Sequence, residues 1–280
     1  MRAVMVQRIL SFILCLILGA PAFASSDLRL VSLNPGLTEL VLALELGDKL
    51  VGVSDYCQVT DQSSPKRLGT ELTPKLETLI RLRPSHVLVS TSRMQKSLPL
   101  RPEQSLLALP FMKTADLRQS IVKLGNLFDR KGEAAALVEQ LKRVLVPTAS
   151  NLGKTLVIAG VSQHETPQLY LVNPASLQGD LLRASGFDLI QPANDRGVGI
   201  LGPEELVRLA PDIIIILDPS SASESTQHLY TKALSPLQVT KPQIRTIYLS
   251  DAKLSSMGPG CFTLGQEAAS TLKAMQGASP

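Results

Sequence analysis

The sequence predicts an α/β fold built as two similar halves, and three observations carry that prediction. Short runs of aliphatic β-formers alternate with segments of helical periodicity along most of the chain. The stretch "LETLIRLRPSHVLVS", Leu76 to Ser90, has an echo in "EELVRLAPDIIIIL", Glu204 to Leu217. Between the halves lies a helical region, Asp116 to Phe128 and Gly132 to Val146, whose second part is rich in Ala, Leu, Glu and Lys with no internal breaker.

The elements follow in order. "LRLVSL" from Leu28 is a short β-prone run, "NPG" turns the chain, and "LTELVLALELG" has helical spacing with Gly47 placed as a C-cap. "KLVGVS" is the next strand, and strand, helix and strand within so short a span make a βαβ unit with parallel pairing and a right-handed crossover. Thr73 and Pro74 open a helix, Leu76, Leu79 and Ile80 form its apolar face, and Pro84 ends it before the strand "HVLVS". Ser97 to Thr114 is proline-punctuated, with "ALPF" as a short edge strand. The second half restarts with "KTLVIAGV", continues with the helix "SLQGDLLRASGF" ending near Gly186, and reaches "GPEELVRLAP" and "DIIIIL". Gly47 against Gly186 and Pro84 against Pro211 give offsets of 139 and 127, so the halves share an order and differ in loop length. Such a chain forms two small lobes with a cleft between them, or one continuous doubly wound sheet.

The first 24 residues stand apart. Arg2 and Arg8 precede the apolar run "ILSFILCLILGA", and Ala22-Phe23-Ala24 forms a small-x-small site before Ser25 and Ser26. These are the parts of a secretory signal cleaved after Ala24, since the run is shorter than the ~20 apolar residues a membrane span needs. "FILC" lacks the small residues of a lipoprotein site before Cys15. Residues 25–115, 116–150 and 151–280 then read as an N-terminal lobe, a helical linker and a C-terminal lobe, exported to an oxidising compartment. Cleavage removes two arginines and no acid, leaving 26 basic against 24 acidic residues, a balance of +2 that points to no nucleic-acid partner.

The chain contains no nucleophile-elbow, Walker, H-E-x-x-H or dinucleotide-binding motif, which argues against an enzyme. His86, His164 and His228 lie far apart, against a receptor for bare zinc or manganese, which draws on clustered imidazole and carboxylate ligands. The loops after strands carry more: Asn34 in "SLNPGLTE" feeds a helix N-terminus, and Asp55, Tyr56 and Cys57 follow the second strand. In a chain with 4 Tyr, 6 Phe and no Trp, Tyr56 and Tyr170 are candidate ligand platforms.

The run "LRLVSLNPGLTELVLALELGDKLVGVSDYC", the "VSLxPxxTE" start and the paired L-E-x-L/I-x-x-L-x-P units resemble the periplasmic binding proteins of cobalamin, ferric-siderophore and haem importers. The resemblance covers essentially the whole mature chain. It implies two Rossmann-like α/β lobes with parallel sheets, joined by one long bridging helix after Gly132, with the ligand between the lobes. It implies a monomer with no cofactor of its own, which delivers a corrinoid, ferric-siderophore or haem-type chelate to an ABC importer's permease dimer and its ATPase. It implies that Glu77 and Glu204, each seven residues before its proline, dock onto that permease. By the same resemblance Tyr56, Tyr170 and Asp251 match ligand contacts, while Glu71 and Val198 occupy positions where cobalamin binders place tryptophan. Cys57 and Cys261 fall in loops near the cleft on opposite lobes, where a disulfide would staple the two. An exported hydrolase using a cleft serine, His164 and Asp251 is the reading from another class, without a strained nucleophile turn to support it.

Overall fold

The computed structural model describes residues 28–59, 64–93, 98–191 and 199–277; the signal segment and Val198 lie outside them. The first sheet is five-stranded and wholly parallel. Its strands are β1 (Leu30–Ser32), β2 (Leu50–Val53), β3 (Lys66–Arg67), β4 (His86–Val89) and β5 (Ser105–Ala108), in the order β3-β2-β1-β4-β5. Helix α1 (Pro35–Ala43) makes the β1–β2 crossover, and α2 (Leu76–Leu82) leads into β4. Asn34 starts α1 by accepting from the Gly36 N–H at 3.0 Å, with Pro35 at the first position where its missing N–H costs nothing.

Two linker helices follow, α3 (Thr114–Leu127) and α4 (Lys131–Val144), broken at Phe128 to Arg130, where Asp129 turns with φ 55°. They pack against each other, and their buried Leu117, Ile121, Leu124, Leu137 and Leu141 join the core under the first sheet.

The second sheet is mixed, which departs from the expected parallel one. Its strands are β6 (Gly153–Val161), β7 (Leu169–Leu171), β8 (Phe187–Leu189), β9 (Ile200–Leu201), β10 (Ile213–Leu217) and β11 (Arg245–Leu249). The order is β11-β10-β6-β7-β9, with β8 beside the start of β6; β7 runs antiparallel to β6 and to β9. β7 follows β6 through a tight loop rather than a helical crossover, and only antiparallel neighbours can be joined so briefly. Its helices are α5 (Leu177–Ala184), α6 (Pro203–Leu209), α7 (Glu224–Thr240), α8 (Ala252–Ser255) and α9 (Leu264–Gly277). There are thus two sheets, not one continuous sheet.

The doubled stretch is a doubled structure. Helices α2 and α6 are seven residues long and end at Arg83 and Ala210, with φ of 45° and 43° immediately before proline. A side chain in this left-handed region costs roughly 1–2 kcal/mol, and the same cost is borne at both ends of the molecule. Two local expectations shift. Thr73-Pro74 lie before the helix, since Pro74 bridges Gly69 and α2 starts at Leu76. Gly47 opens a 3-10 turn instead of capping α1, which closes on Leu44.

The lobes share a core. A 3-10 segment, Pro259–Thr263, reaches from the second lobe so that Cys261 and Phe262 are buried among Leu37, Leu40 and Leu137 of the first lobe and linker. Burying a side chain such as Phe262 contributes about 1.5–3 kcal/mol.

Candidate functional site

The loops at the carboxyl ends of strands from both sheets enclose a cavity of about 540 Å³. That is where open α/β sheets place ligands. The turn after β1 contributes Asn34, the loop after β2 contributes Tyr56, and the segment after β5 contributes Phe111 and Met112. From the second lobe come Ser256 and Met257, beyond β11. Another hollow, of about 600 Å³, lies among α3, α4 and α5, away from the strand ends. Its lining of Lys113, Arg118 and Lys142 belongs to the linker face.

The predicted residues divide. Tyr56 stands 72% exposed over the cavity, an aromatic held out for a partner rather than packed away. Asn34 lines the cavity, but its polar atoms are in use: Nδ2 donates to Glu71 at 2.9 Å while Oδ1 caps α1. Glu71 also accepts from the Ser90 N–H at 2.6 Å and the Ser90 hydroxyl at 2.7 Å. Glu71 therefore ties the loops after β1 and β4 together, and it positions Asn34 without lining the cavity. Asp55 accepts from the Gly69 N–H at 3.0 Å and pins the loop after β2 to the chain beyond β3. Asp251 caps α8 through the Lys253 N–H at the cavity's rim, next to the lining residue Ala252. Tyr170 lies on β7 opposite Ile200, between buried Leu169 and Leu171, and the cavity does not reach it. His164 is exposed and outside the lining, while His86 is a packing residue whose ring meets Phe128 edge-on at 5.1 Å. Among the described residues no three His, Cys, Asp or Glu side chains cluster as a metal would require.

The residue that sequence reasoning missed is Glu39. It sits on α1 and lines the cavity, and its carboxylate accepts from the Ser256 hydroxyl at 2.8 Å and the Gly260 N–H at 2.9 Å. It therefore joins one lobe to the other. Burial pushes its acid above the ordinary carboxylate range, and the Gly260 N–H, the Ser256 hydroxyl and Lys253 oppose that rise. Its signal in the sequence was a lone carboxylate between Leu37, Leu40 and Val41, on a helix whose other side chains are apolar except Thr38. Beside it the two backbones touch: a Cβ on Gly258 would lie 2.7 Å from the Gly36 carbonyl oxygen and 2.6 Å from Glu39 Oε2.

The cysteines correct an expectation, because both are buried and free. The Cys57 thiol lies 2.9 Å from the Thr38 hydroxyl and 3.0 Å from that of Ser54. Cys261 is enclosed in the shared core, where burial, and then the charge of Glu39, push its thiol upward. Both are free thiols, so no bond staples the lobes. Thiol titration of unreduced, denatured mature protein is expected to find both thiols reactive; finding neither reactive would restore the disulfide.

Glu77 and Glu204 are exposed, each at the second position of its seven-residue helix.

Residues 30–234 match the family model described as "Periplasmic binding protein". The chain belongs to the periplasmic binding protein family. Among curated relatives of this binding protein, the high-affinity heme uptake system protein IsdE of Staphylococcus aureus is 26% identical over 228 residues. The match covers 78% of this chain and 75% of IsdE. Solved structures agree in fold. The periplasmic heme-binding protein HutB of Vibrio cholerae superposes with a TM-score of 0.71 at 17% identity, covering 88% of this chain and 99% of that one. The vitamin B12-binding protein BtuF of the same organism gives 0.67 at 16% identity, covering 89% and 97%.

Proposed function

We propose that this binding protein is exported by its N-terminal signal, holds a flat metal chelate of the haem or corrinoid kind between its lobes, and presents it to an ABC importer. The observation that carries this reading is the cavity lining. Tyr56, Phe111, Met112 and Met257 offer one exposed aromatic face and polarisable apolar side chains, and Glu39 is the one charged side chain among the described lining residues. A strongly anionic ferric siderophore calls for cations that the described lining lacks. A flat ring with an apolar face asks for contact area, with a few polar groups such as Gln58 and Ser256 setting its orientation. The names of the heme- and vitamin B12-binding relatives support the same ligand class. No helix among the described residues is long and apolar enough to cross a membrane, consistent with delivery to a separate permease.

The test is a thermal-shift titration of the mature protein with hemin, a cobalamin and a ferric tris-catecholate. At 100-fold excess over its dissociation constant, a true ligand adds about 2.7 kcal/mol of stability. Hemin or cobalamin is expected to shift the midpoint; a response to the tris-catecholate alone, or to none of the three, overturns the reading. Tyr56→Ala is expected to weaken the flat ligand by about two- to tenfold, the loss of roughly one stacking contact of 0.5–1.5 kcal/mol, as read by equilibrium titration.

A further inference from the structure

The apolar face expected for α2 is only partly covered. Leu79 is buried, but Leu76 is 39% exposed and Ile80 44%, and Leu72 in the preceding turn is 81% exposed. At about 100° per residue, the open side of the helix runs from Leu76 and Ile80 through Glu77 to Arg81 and Thr78. Beyond Arg81 a groove of about 510 Å³ opens, lined by Lys66, Arg67, Lys75, Thr78, Arg81 and Leu82. Four of these six carry positive charge, and no acid among the described residues lines the groove. Arg67 is anchored through the Ser54 and Cys57 carbonyls, which fixes one cation in place, while no bond among the described residues holds the Lys75 or Arg81 head groups. The twin helix α6 is different: beside Glu204 it carries Glu205, which accepts from Arg208 at 3.1 Å. The N-terminal lobe thus has a surface of exposed leucine and isoleucine next to a cationic trough.

We propose that this face of the N-terminal lobe rests against an anionic phospholipid surface. Exposed aliphatic side chains flanked by lysine and arginine are the chemistry of an interfacial membrane contact, in which charge attracts and apolar area enters the headgroup boundary. The inference rests on the reading that α2 lies on the side of the protein turned toward the importer, which is also the side turned toward the membrane that holds it. Lipid contact would orient the protein with Glu77 downward and raise its local concentration at the importer.

The experiment is co-sedimentation of the mature protein with vesicles of phosphatidylcholine alone or with phosphatidylglycerol, without any permease. Binding is expected only to the anionic vesicles, and it should fall steeply as salt shortens the screening length. Lys75→Glu with Arg81→Glu is expected to reduce partitioning at least tenfold. The milder Lys66→Gln with Lys75→Gln should reduce it severalfold, and both pairs should leave chelate affinity unchanged. Glu77→Arg should keep or strengthen vesicle binding while docking to the permease weakens, which separates this proposal from the docking reading. Equal binding to neutral and anionic vesicles, or undiminished binding by the charge-reversed variant, overturns it. So does the absence of vesicle binding combined with weaker binding of that variant to the permease in neutral nanodiscs, which would assign the groove to an acidic protein segment.

Discussion

Replacing Glu77 and Glu204 together by arginine is expected to abolish ligand uptake in a reconstituted importer while leaving the protein's affinity for its ligand unchanged. Both carboxylates are exposed, both occupy the second position of a short helix, and both helices end in the same left-handed residue before proline. An acid so near a helix N-terminus gains about 0.3–1 kcal/mol from the helix dipole. That gain alone accounts for a carboxylate in one lobe; it gives no reason for two matched ones. Charge pairs across an interface can be worth about 1.5–7 kcal/mol, and reversing one partner turns attraction into repulsion. Single reversals should weaken docking, and the double reversal should eliminate it. Vesicle transport assays run beside equilibrium ligand titrations decide the matter. A double variant that lost ligand affinity would place these residues in ligand binding and refute the docking assignment.

Glu39→Ala is expected to destabilise the folded protein by about 1–3 kcal/mol. It strips the Gly260 N–H of its acceptor in a half-buried seam and leaves the Ser256 hydroxyl only the Lys253 carbonyl. Glu39→Gln should behave oppositely near neutral pH, since an amide oxygen can still accept and no charge has to be kept from water. The pH dependence follows from the raised acid of Glu39. The folded state holds this proton more tightly than the unfolded chain does. Its contribution is therefore fully present below the unfolded carboxylate range and declines as pH rises through the folded one. Lys253 and Asp251 face the same carboxylate with opposite effects, so the decline belongs to burial rather than to either neighbour. Urea midpoints of wild type and Glu39→Gln between about pH 4 and 8 measure it. The wild type should gain on the variant as pH falls, and parallel curves would show that Glu39 titrates as an ordinary surface acid.

Much of this was legible in the residues. The duplicated α2–β4 and α6–β10 units and the β1–α1–β2 crossover follow from hydrophobic period and turn chemistry, which act locally. The antiparallel β7 was not legible, because a three-residue run such as Leu169–Leu171 has the same periodicity in either direction. The apolar face of α2 was legible as a pattern, but of its three members only Leu79 is buried. Spacing says which side chains share a face; only the tertiary packing says whether anything covers Leu76 and Ile80. Among the cavity's lining residues, Tyr56 was visible because the chain has few aromatics and no Trp, whereas Met257 and Glu39 come to the same cavity from distant segments. Glu71, expected at the ligand, bonds Asn34 and Ser90, a placement that depends on where β4 ends, just before Ser90.

The shared core sets the order in which the molecule can be completed. Glu39 finds its Ser256 partner 217 positions along the chain, and Cys261 and Phe262 join the core that holds Leu37 and Leu40. Contacts of such separation form late, because the intervening chain must first be ordered. A polypeptide threaded through a secretion channel N-terminus first would have its opening βαβ unit across long before the segment that closes it. The N-terminal half would stay open until nearly all of the chain had crossed, loose enough to be pulled through and dependent on its far end to finish folding.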